Sequence, residues 1–542
     1  MYNCPNCGGH IRYDIPSAKI HCDSCDSSFD PYELDKKQGE GKDAEEQKTY
    51  ETTLFTCPHC GGEITSTDVT AASFCTYCGS PVVLGSRISR EKRPALIIPF
   101  MKTKEECKEA YRRKMRQAFF VPKELQDPEY LEKFRGIYIP YWLFDVQFHG
   151  VSSIMGSKEY REGDYIVRTE YELRGDLDAA YPNIYYDASS SFDDSIGETI
   201  APYESKNLRP FTPSMLCGFF ADTSDVESSV YKGDAETFAR QEAALALSKQ
   251  PAYRNFSPGS RQPFRVDAEM QKARLSMFPV WFLTWRKDDR VAYAIANGLT
   301  GKISADLPID YGKYTVFSIL TAVPIFLLLN LFLTVSAAHT LLVTSFLGLF
   351  SLILYQRQLG IIRDRKEHTY DKGYQTLQKR NQMNRHLSGT ASDPEEGDSR
   401  RKFSRLFRGL NTEMKDKSSS VFIAAIVLIV IAVRFLSISS EQHLPLVLMA
   451  VATAATLFCA IRIRIVYSAR EVLPGLGTIL SSVLALVITI LWPIGDPWYY
   501  LGAICSLIGI GLNLYGILRR YNDQTMRPLP DYVHREGGDM RA

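Results

Sequence analysis

Two stretches decide the reading of this chain: Cys4-Pro-Asn-Cys7-Gly-Gly9, and its near copy Cys57-Pro-His-Cys60-Gly-Gly62. Each is followed, after fourteen intervening residues, by a second Cys-x-x-Cys pair, Cys22/Cys25 and Cys75/Cys78. Text and spacing repeat together, so one small module has been duplicated. Two such pairs present four thiolates to a tetrahedral ion, with Zn–S near roughly 2.3 Å. Gly8, Gly9, Gly61 and Gly62, with Gly79 after the last pair, let the backbone turn and aim amide N–H groups at sulfur. We expect two closed structural zinc sites, Cys4/Cys7/Cys22/Cys25 and Cys57/Cys60/Cys75/Cys78, with iron as the alternative ion. So short a module buries little core of its own, and bound metal supplies on the order of 10–16 kcal/mol.

Other uses of the eight cysteines fit less well. A disulfide framework needs an oxidising compartment, and the topology argued below puts the pairs in the cytosol. Thioredoxin-like chemistry needs one pair at the start of a helix, not four pairs on short loops. With four thiolates per site, His10, His21 and His59 read as surface residues. Cys107, Cys217, Cys459 and Cys505 read as packing residues.

The rest of the 542-residue chain divides sharply in composition. Its 63 basic and 62 acidic residues balance, which disfavours a globally basic nucleic-acid binder. Residues 1–310 are polar and aromatic-rich, whereas 311–521 hold long apolar runs. Six windows are long and apolar enough to cross a bilayer: 314–336, 339–355, 419–438, 444–461, 473–493 and 498–518. The loop 356–418 is basic, with Arg357, Arg363, Arg365, Lys366, Arg400, Arg401, Lys402, Arg405 and Arg408. Arg462, Arg464 and Arg470 follow the fourth window, and Arg519, Arg520 and Arg527 the sixth. The turns between paired windows carry no Lys or Arg, so they should face outward, leaving both termini cytoplasmic. Trp492, Trp498, Tyr499 and Tyr500 suit one interfacial belt, and Tyr355, Tyr467 and Tyr521 the other. Arg434, within the third window, either snorkels to headgroups or serves as an intramembrane charge. Gly502, Ser506, Gly509, Asn513 and Gly516 share one helical face, which permits close helix approach within the chain or between copies. The basic loop should also attract anionic lipid.

Between metal modules and membrane lies a soluble α+β region. The pattern predicts a helix over 105–120 ended by Pro122, a buried strand over 136–145, two further strands within 151–175, and a helix over 237–247. Residues 278–286 and 291–297 flank Lys287-Asp-Asp-Arg290 and predict a hairpin. The expected organisation is multidomain. Zinc ribbons occupy 1–35 and 53–93 around a linker at 36–52. An α+β cytoplasmic domain spans 94–312, an all-α six-span bundle 313–521 including the loop 356–418, and a tail 522–542. Gly298-Leu-Thr-Gly-Lys302 imitates a phosphate loop, but two residues separate its glycines where four are needed and Ile303 follows, so it reads as a strand-end turn. No Gly-x-Ser-x-Gly elbow or His-Glu-x-x-His pair occurs, and His149 is the sole histidine between 60 and 338. We expect a non-enzyme.

Several strings resemble the bacterial membrane-associated proteins with TFIIB-type zinc ribbons, a family often carried under a mistaken replication-helicase label. They are Ile97-Ile-Pro-Phe100, Gly136-Ile-Tyr-Ile-Pro-Tyr-Trp-Leu-Phe-Asp145, Pro210-Phe-Thr-Pro213, Leu216-Cys-Gly-Phe-Phe-Ala221, Phe278-Pro-Val-Trp-Phe282 and Asn297–Lys302. The resemblance covers about residues 55–310. It implies an adaptor at the cytoplasmic membrane, since some relatives occur with phage-shock-protein-A-like and other membrane stress proteins. The expected function is therefore a membrane-anchored scaffold whose partners are lipid and membrane or stress-response proteins. Homo-oligomers could form through the Gly502 to Gly516 face. Nucleic-acid binding by the ribbons is an alternative, weakened because the first module offers just Arg12 and Lys19 and the second no basic residue from Cys57 to Cys78. A transporter or membrane enzyme is the other.

Overall fold

The computed structural model describes residues 3–37, 49–66, 75–80, 85–192, 194–250, 256–258, 266–332, 336–366, 372, 375, 443–467, 469–491 and 495–528. Strands β1 (Ile11–Asp14), β2 (Lys19–Cys22) and β3 (Ser28–Phe29) form a three-stranded antiparallel sheet, followed by helix α1 (Pro31–Lys37). The second module contributes β4 (Thr49–Thr56), β5 (Glu63–Ser66) and β6 (Gly85–Lys92), with β4 paired to both of the others. These three do not stand apart on a linker. They form one end of a 14-stranded sheet that runs through the soluble region.

After β7 (Leu96–Ile97) comes α2 (Lys104–Gln117). Thr103 starts this helix with a capping box: its hydroxyl accepts from the Glu106 N–H, and the Glu106 carboxylate accepts from the Thr103 N–H at 2.8 Å. The helix stops short of the predicted end at 120. The Ala118 N–H returns to Met115 O, and Phe119 and Phe120 turn away to meet Phe317 with ring centroids at 5.6 and 5.4 Å. A short α3 (Pro128–Leu131) then leads into β8 (Arg135–Glu162), the central strand. Its Ile137, Tyr138 and Ile139 are fully buried, as the unbroken run of β-branched and aromatic residues requires.

Strand β9 (Tyr165–Asp187) returns along β8 over the whole stretch from Glu162 to Tyr141. The two strands read within 151–175 are thus the far half of one long hairpin, the first continuing β8 and the second being β9. Alternation reports strandness but carries no signal that β8 continues through residues 146–150. A bulge between Phe144 and Val146 bends β8 at Asp145, whose carboxylate accepts from Asn183 N–H (2.8 Å) and Arg274 (2.7 Å).

The chain continues through α4 (Asp194–Ile200), β10 (Arg209–Pro210), β11 (Phe220–Asp222), α5 (Lys232–Ser248), β12 (Ser257–Pro258) and β13 (Ala268–Met270). Helix α5 contains the predicted helix and adds a turn before it. Strands β14 (Arg274–Lys287) and β15 (Arg290–Asn297) are the predicted hairpin, in register from Lys287↔Arg290 to Val280↔Asn297. On β8, β14 and β13 lie along one edge while β11 and β9 share the other. Strand β16 (Ile303–Ala305) adds to β15.

Beyond it lie α6 (Tyr311–Phe332), α7 (Ala337–Lys366), α8 (His443–Val466), α9 (Leu476–Leu491) and α10 (Pro497–Thr525). Among the described residues four segments are long and apolar enough to cross a membrane: Ala337–Arg363, Pro445–Val466, Arg470–Leu491 and Pro497–Thr525. Six spans are thus not supported; these four match the second, fourth, fifth and sixth windows. The first window begins inside α6 and runs past its end. The third, with Arg434, lies outside the described residues, as does most of the basic loop. Helix α7 extends eleven residues past the end of its window at 355, so the start of that loop is helical.

Polar residues fill the inside of this bundle. Asn513, fully buried, donates to Ser351 (2.9 Å) and Thr478 (2.6 Å), and Thr453, Thr456 and Ser482 bond to one another across α8 and α9. The Gly502 to Gly516 face is used within the chain. A Cβ at Gly509 would fall 2.7 Å from Thr478 N, and one at Gly502 2.8 Å from Leu341. Tyr355 and Tyr499 are buried in the bundle, so neither joins an interfacial belt; Trp498 and Tyr500 are exposed. The Tyr355 hydroxyl instead donates to Glu471 O at 3.1 Å, beside the Glu471–Arg520 ion pair.

The soluble region is clamped to the end of α10. Asn522 exchanges two hydrogen bonds with the Ile309 backbone, at 2.7 and 2.8 Å. Strand β17 (Arg527–Pro528) then pairs with β15. Arg290 bonds to Asp523, and Arg527 lies over the Tyr293 ring at 5.6 Å.

Candidate metal centres

Both four-cysteine sets predicted from spacing come together, each with all four sulfurs within 4.8 Å of one another. Every site is built from two turns of one design. The Cys4 N–H donates to Gly9 O (2.9 Å) and the Gly8 N–H to Cys4 O (2.8 Å). Cys57, Gly62 and Gly61 repeat those distances. In the second turns, Cys22 N–H donates to Ser27 O (2.9 Å) and Cys75 N–H to Ser80 O (2.9 Å). The residue after the second cysteine of every turn is left-handed: Gly8 at φ +70°, Gly61 at +73°, Gly79 at +66° and Asp26 at +60°. Glycine takes that conformation freely, which accounts for three of the four. Asp26 escaped the sequence reading, although aligning the modules sets it opposite Gly79. Gly9 is needed for space instead, because a Cβ there would lie 2.5 Å from Ser24 Oγ.

Sulfur separations test the fit to an ion. Cys4–Cys25 and Cys7–Cys22 are 3.5 Å apart; Cys57–Cys78 and Cys60–Cys75 are 3.8 and 3.7 Å. A tetrahedron with bonds of about 2.3 Å has edges of about 3.8 Å, so a four-thiolate centre fits both sets. A disulfide would need about 2.05 Å, and all eight cysteines are free thiols here. Thiols crowded this closely cannot all ionise unaided. In the second set, hydrogen bonding with Cys60 holds Cys57 below the ordinary thiol range, while Cys57 pushes both Cys60 and Cys75 up. A central dication removes that conflict by favouring the thiolate form of all four. In the first set, Ser27's hydroxyl and backbone draw Cys25 down to about 6.

Surroundings separate the two centres. Cys57, Cys60, Cys75 and Cys78 are at most 1% exposed. In the first, Cys4 and Cys22 are buried but Cys7 and Cys25 are open to solvent. The second is enclosed because β5 pairs with β11 and its last turn lies on the β14–β15 hairpin. There the Thr284 hydroxyl bonds to Thr76 O, and the buried Tyr293 hydroxyl donates to Tyr77 O at 2.8 Å. These supporting residues gave no sign in the sequence, since each lies more than two hundred positions from its partner. The first module docks by packing Ile11, Tyr13, Ile20 and Leu34 into one cluster with Phe100, Tyr138 and Trp281. Among the described residues Tyr13 N–H also donates to Cys217 O (2.9 Å), with Tyr32 and Ser214 bonding at the margin.

The remaining residues singled out by sequence fall as follows. His10 and His59 are exposed, and His21 bonds to Asp26 at 3.2 Å, away from the sulfurs. Cys107, Cys217 and Cys459 are buried and Cys505 is half-buried. Asn297 organises the Gly298–Lys302 turn by accepting from Leu299 and Thr300 N–H, so this is a strand-end turn. The strings that carry the resemblance converge between the two centres. Phe100 stacks on Phe219 at 4.2 Å and meets Tyr138 and Trp281 edge-on at 5.0 and 5.1 Å. Gly136 and Gly298 are required there, because a Cβ would lie 2.4 Å from Phe219 and 2.7 Å from Phe100 respectively.

No family model and no solved structure matches this chain. It is similar to an uncharacterized protein of Bacillus subtilis (strain 168), YdjG. The two are 26% identical over 320 residues, which is 58% of this chain and 91% of that protein. The similarity is too distant to assign a family, and the relative's name carries no activity.

Proposed function

We propose that this protein is a membrane-anchored scaffold that presents two TFIIB-type zinc ribbons and a large β-sheet on the cytoplasmic face of a bacterial membrane. Zinc is the resident ion in this reading, held by Cys4, Cys7, Cys22 and Cys25 and by Cys57, Cys60, Cys75 and Cys78. The windows 314–336 and 419–438 complete six spans, both termini lie in the cytoplasm, and the partners are membrane or stress-response proteins. One observation carries the reading: the sheet that encloses the second centre is continued by β17, the extension of membrane helix α10. A body fixed in this way to a membrane helix suits the presentation of surface to a partner. Purification of the full chain from mild detergent should recover specific membrane or stress-response proteins, lost when Cys57→Ser empties the second centre. Recovery of the bait by itself in both cases would overturn the scaffold. Salt-sensitive retention of nucleic acid at low ionic strength would replace it with the alternative reading.

A further inference from the structure

Strand β9 is 23 residues long, and among the described residues it pairs with β8 alone. Its second edge therefore runs beside the hairpin with no described strand along it. Proline is tolerated where no ladder bond is needed, and Pro182 stands near the end of this edge. Long edges of this kind are templates for pairing with another chain. The outward face of β9 is charged: Arg168, Glu170, Glu172, Arg174, Asp176 and Asp178 are all exposed. Charge along an edge ordinarily resists indiscriminate pairing, but it admits a partner whose charges are complementary.

We infer that the partner is a second copy of this chain, joined through β9 edge to edge, antiparallel, about a two-fold axis at Glu172. In that register Arg168 faces Asp176 of the second copy, and Glu170 faces Arg174 of the second copy. Symmetry makes each pairing occur twice. At the axis the two Glu172 side chains approach, and each is already held by its own Arg174 at 2.9 Å. The neighbouring symmetric registers carry more like-charge contacts. An axis at Tyr171 sets Arg168 against Arg174 and Glu170 against Glu172. An axis at Leu173 also joins Arg168 to Asp178 and Glu172 to Arg174, but it sets Glu170 against Asp176 twice, where the axis at Glu172 opposes like charges once. Directly opposed like charges disfavour a strand pair, and opposite charges favour it. Pairing centred on Glu172 extends from Tyr165 to Ala179 and stops before Pro182, so no ladder position calls for the missing N–H. Symmetric self-pairing of one surface is the usual route to a closed dimer.

The test uses the full chain in native membranes. Glu172→Cys should give a disulfide-linked dimer on mild oxidation, reversed by reductant and absent from the unsubstituted chain. Glu170→Cys, off the axis, should link far less. Arg174→Glu should weaken the dimer about tenfold in light scattering from mild detergent, and adding Glu170→Arg should restore it. Separation of a folded, monomeric wild-type chain at micromolar concentration would overturn the proposal. So would linking at position 170 in preference to 172, or failure of the double variant to recover when its metal content and unfolding midpoint match the parent.

Discussion

The two metal modules share their spacing, their turns and most of their text, yet they have become different objects. The first keeps a three-stranded sheet of its own and leaves Cys7 and Cys25 in solvent. The second has given its strands to the 14-stranded sheet and buries all four sulfurs. Local sequence builds the centre; what surrounds it decides what else depends on it. In the first set, Cys4 and Cys22 border a core cluster that runs from Ile11, Tyr13 and Ile20 to Tyr138 and Trp281, while the other two sulfurs face solvent. The second set lies wholly within the hydrophobic core, among Phe55, Tyr77, Ile137, Phe282 and Tyr293.

The largest difference should come from emptying each site in turn. Cys60→Ser leaves three buried thiols without an ion in the middle of that core. The loss should be on the order of 5 kcal/mol or more, enough to unfold the soluble region. Cys7→Ser should lower bound metal from two ions to one per chain while the sheet keeps its unfolding midpoint within a few degrees. Metal analysis with thermal unfolding of both variants checks this. Chelation of the parent should follow the same order: the exposed centre empties first, the enclosed one more slowly by on the order of a hundredfold, because release needs an opening costing about 3 kcal/mol. Equal rates, or equal damage from both substitutions, would erase the distinction drawn here.

The link between the modules offers a second, smaller test. Cys217 accepts a backbone bond from the docked first module, and five residues on, Asp222 pairs with Ile64 of the second. Asp222 is buried, accepts from the Ser189 hydroxyl and from Thr223 N–H, and has its carboxyl pushed up to about 7, chiefly by burial. Between about pH 4 and pH 7 the folded chain therefore binds the proton that the unfolded chain releases. Stability falls as pH rises through that window and levels off above it. Asp222→Asn should flatten the slope by on the order of 1–3 kcal/mol. Urea midpoints at pH 5 and pH 7.5 measure it, and a parent whose midpoint rises across that interval contradicts the assignment.

How much of this the sequence disclosed follows from range. The eight ligands were legible because each turn is made within six residues and the duplication wrote it twice. Four membrane helices were legible because apolar length is itself the physical requirement. The β14–β15 hairpin was legible from its two-residue turn at Asp288 and Asp289. The merging of the second module into the large sheet was not, since the pairing of β5 with β11 joins residues over 150 positions apart and leaves no local mark. The same applies to Tyr355. Its place at the end of a window suggested an interfacial belt, but a hydroxyl that finds Glu471 across the bundle can be buried. The Gly502 to Gly516 stripe was legible as a close-packing face; that it meets Leu341 and Thr478 of its own chain depends on a fold the stripe does not encode.

The smallest effect bears on the one position where the turns themselves differ. Asp26 adopts φ +60° where its three counterparts are glycines. A left-handed residue with a Cβ costs roughly 1–2 kcal/mol, and less for Asp, whose side chain can bond locally. Asp26 recovers part of that cost through its contact with the His21 ring, 3.2 Å away. Asp26→Gly removes the strain and the contact together, so the first module should hold its ion slightly more tightly, by about 0.5 kcal/mol. The mirror change, Gly79→Asp, introduces strain beside the β14–β15 hairpin, with its Cβ 3.4 Å from Thr284 and Arg286, and should destabilise the soluble region by roughly 1 kcal/mol. Competition for metal with a chromogenic chelator reads the first, and a denaturant midpoint reads the second. If both substitutions act with the same sign and size, the turns respond to their own geometry and the surroundings contribute nothing to them.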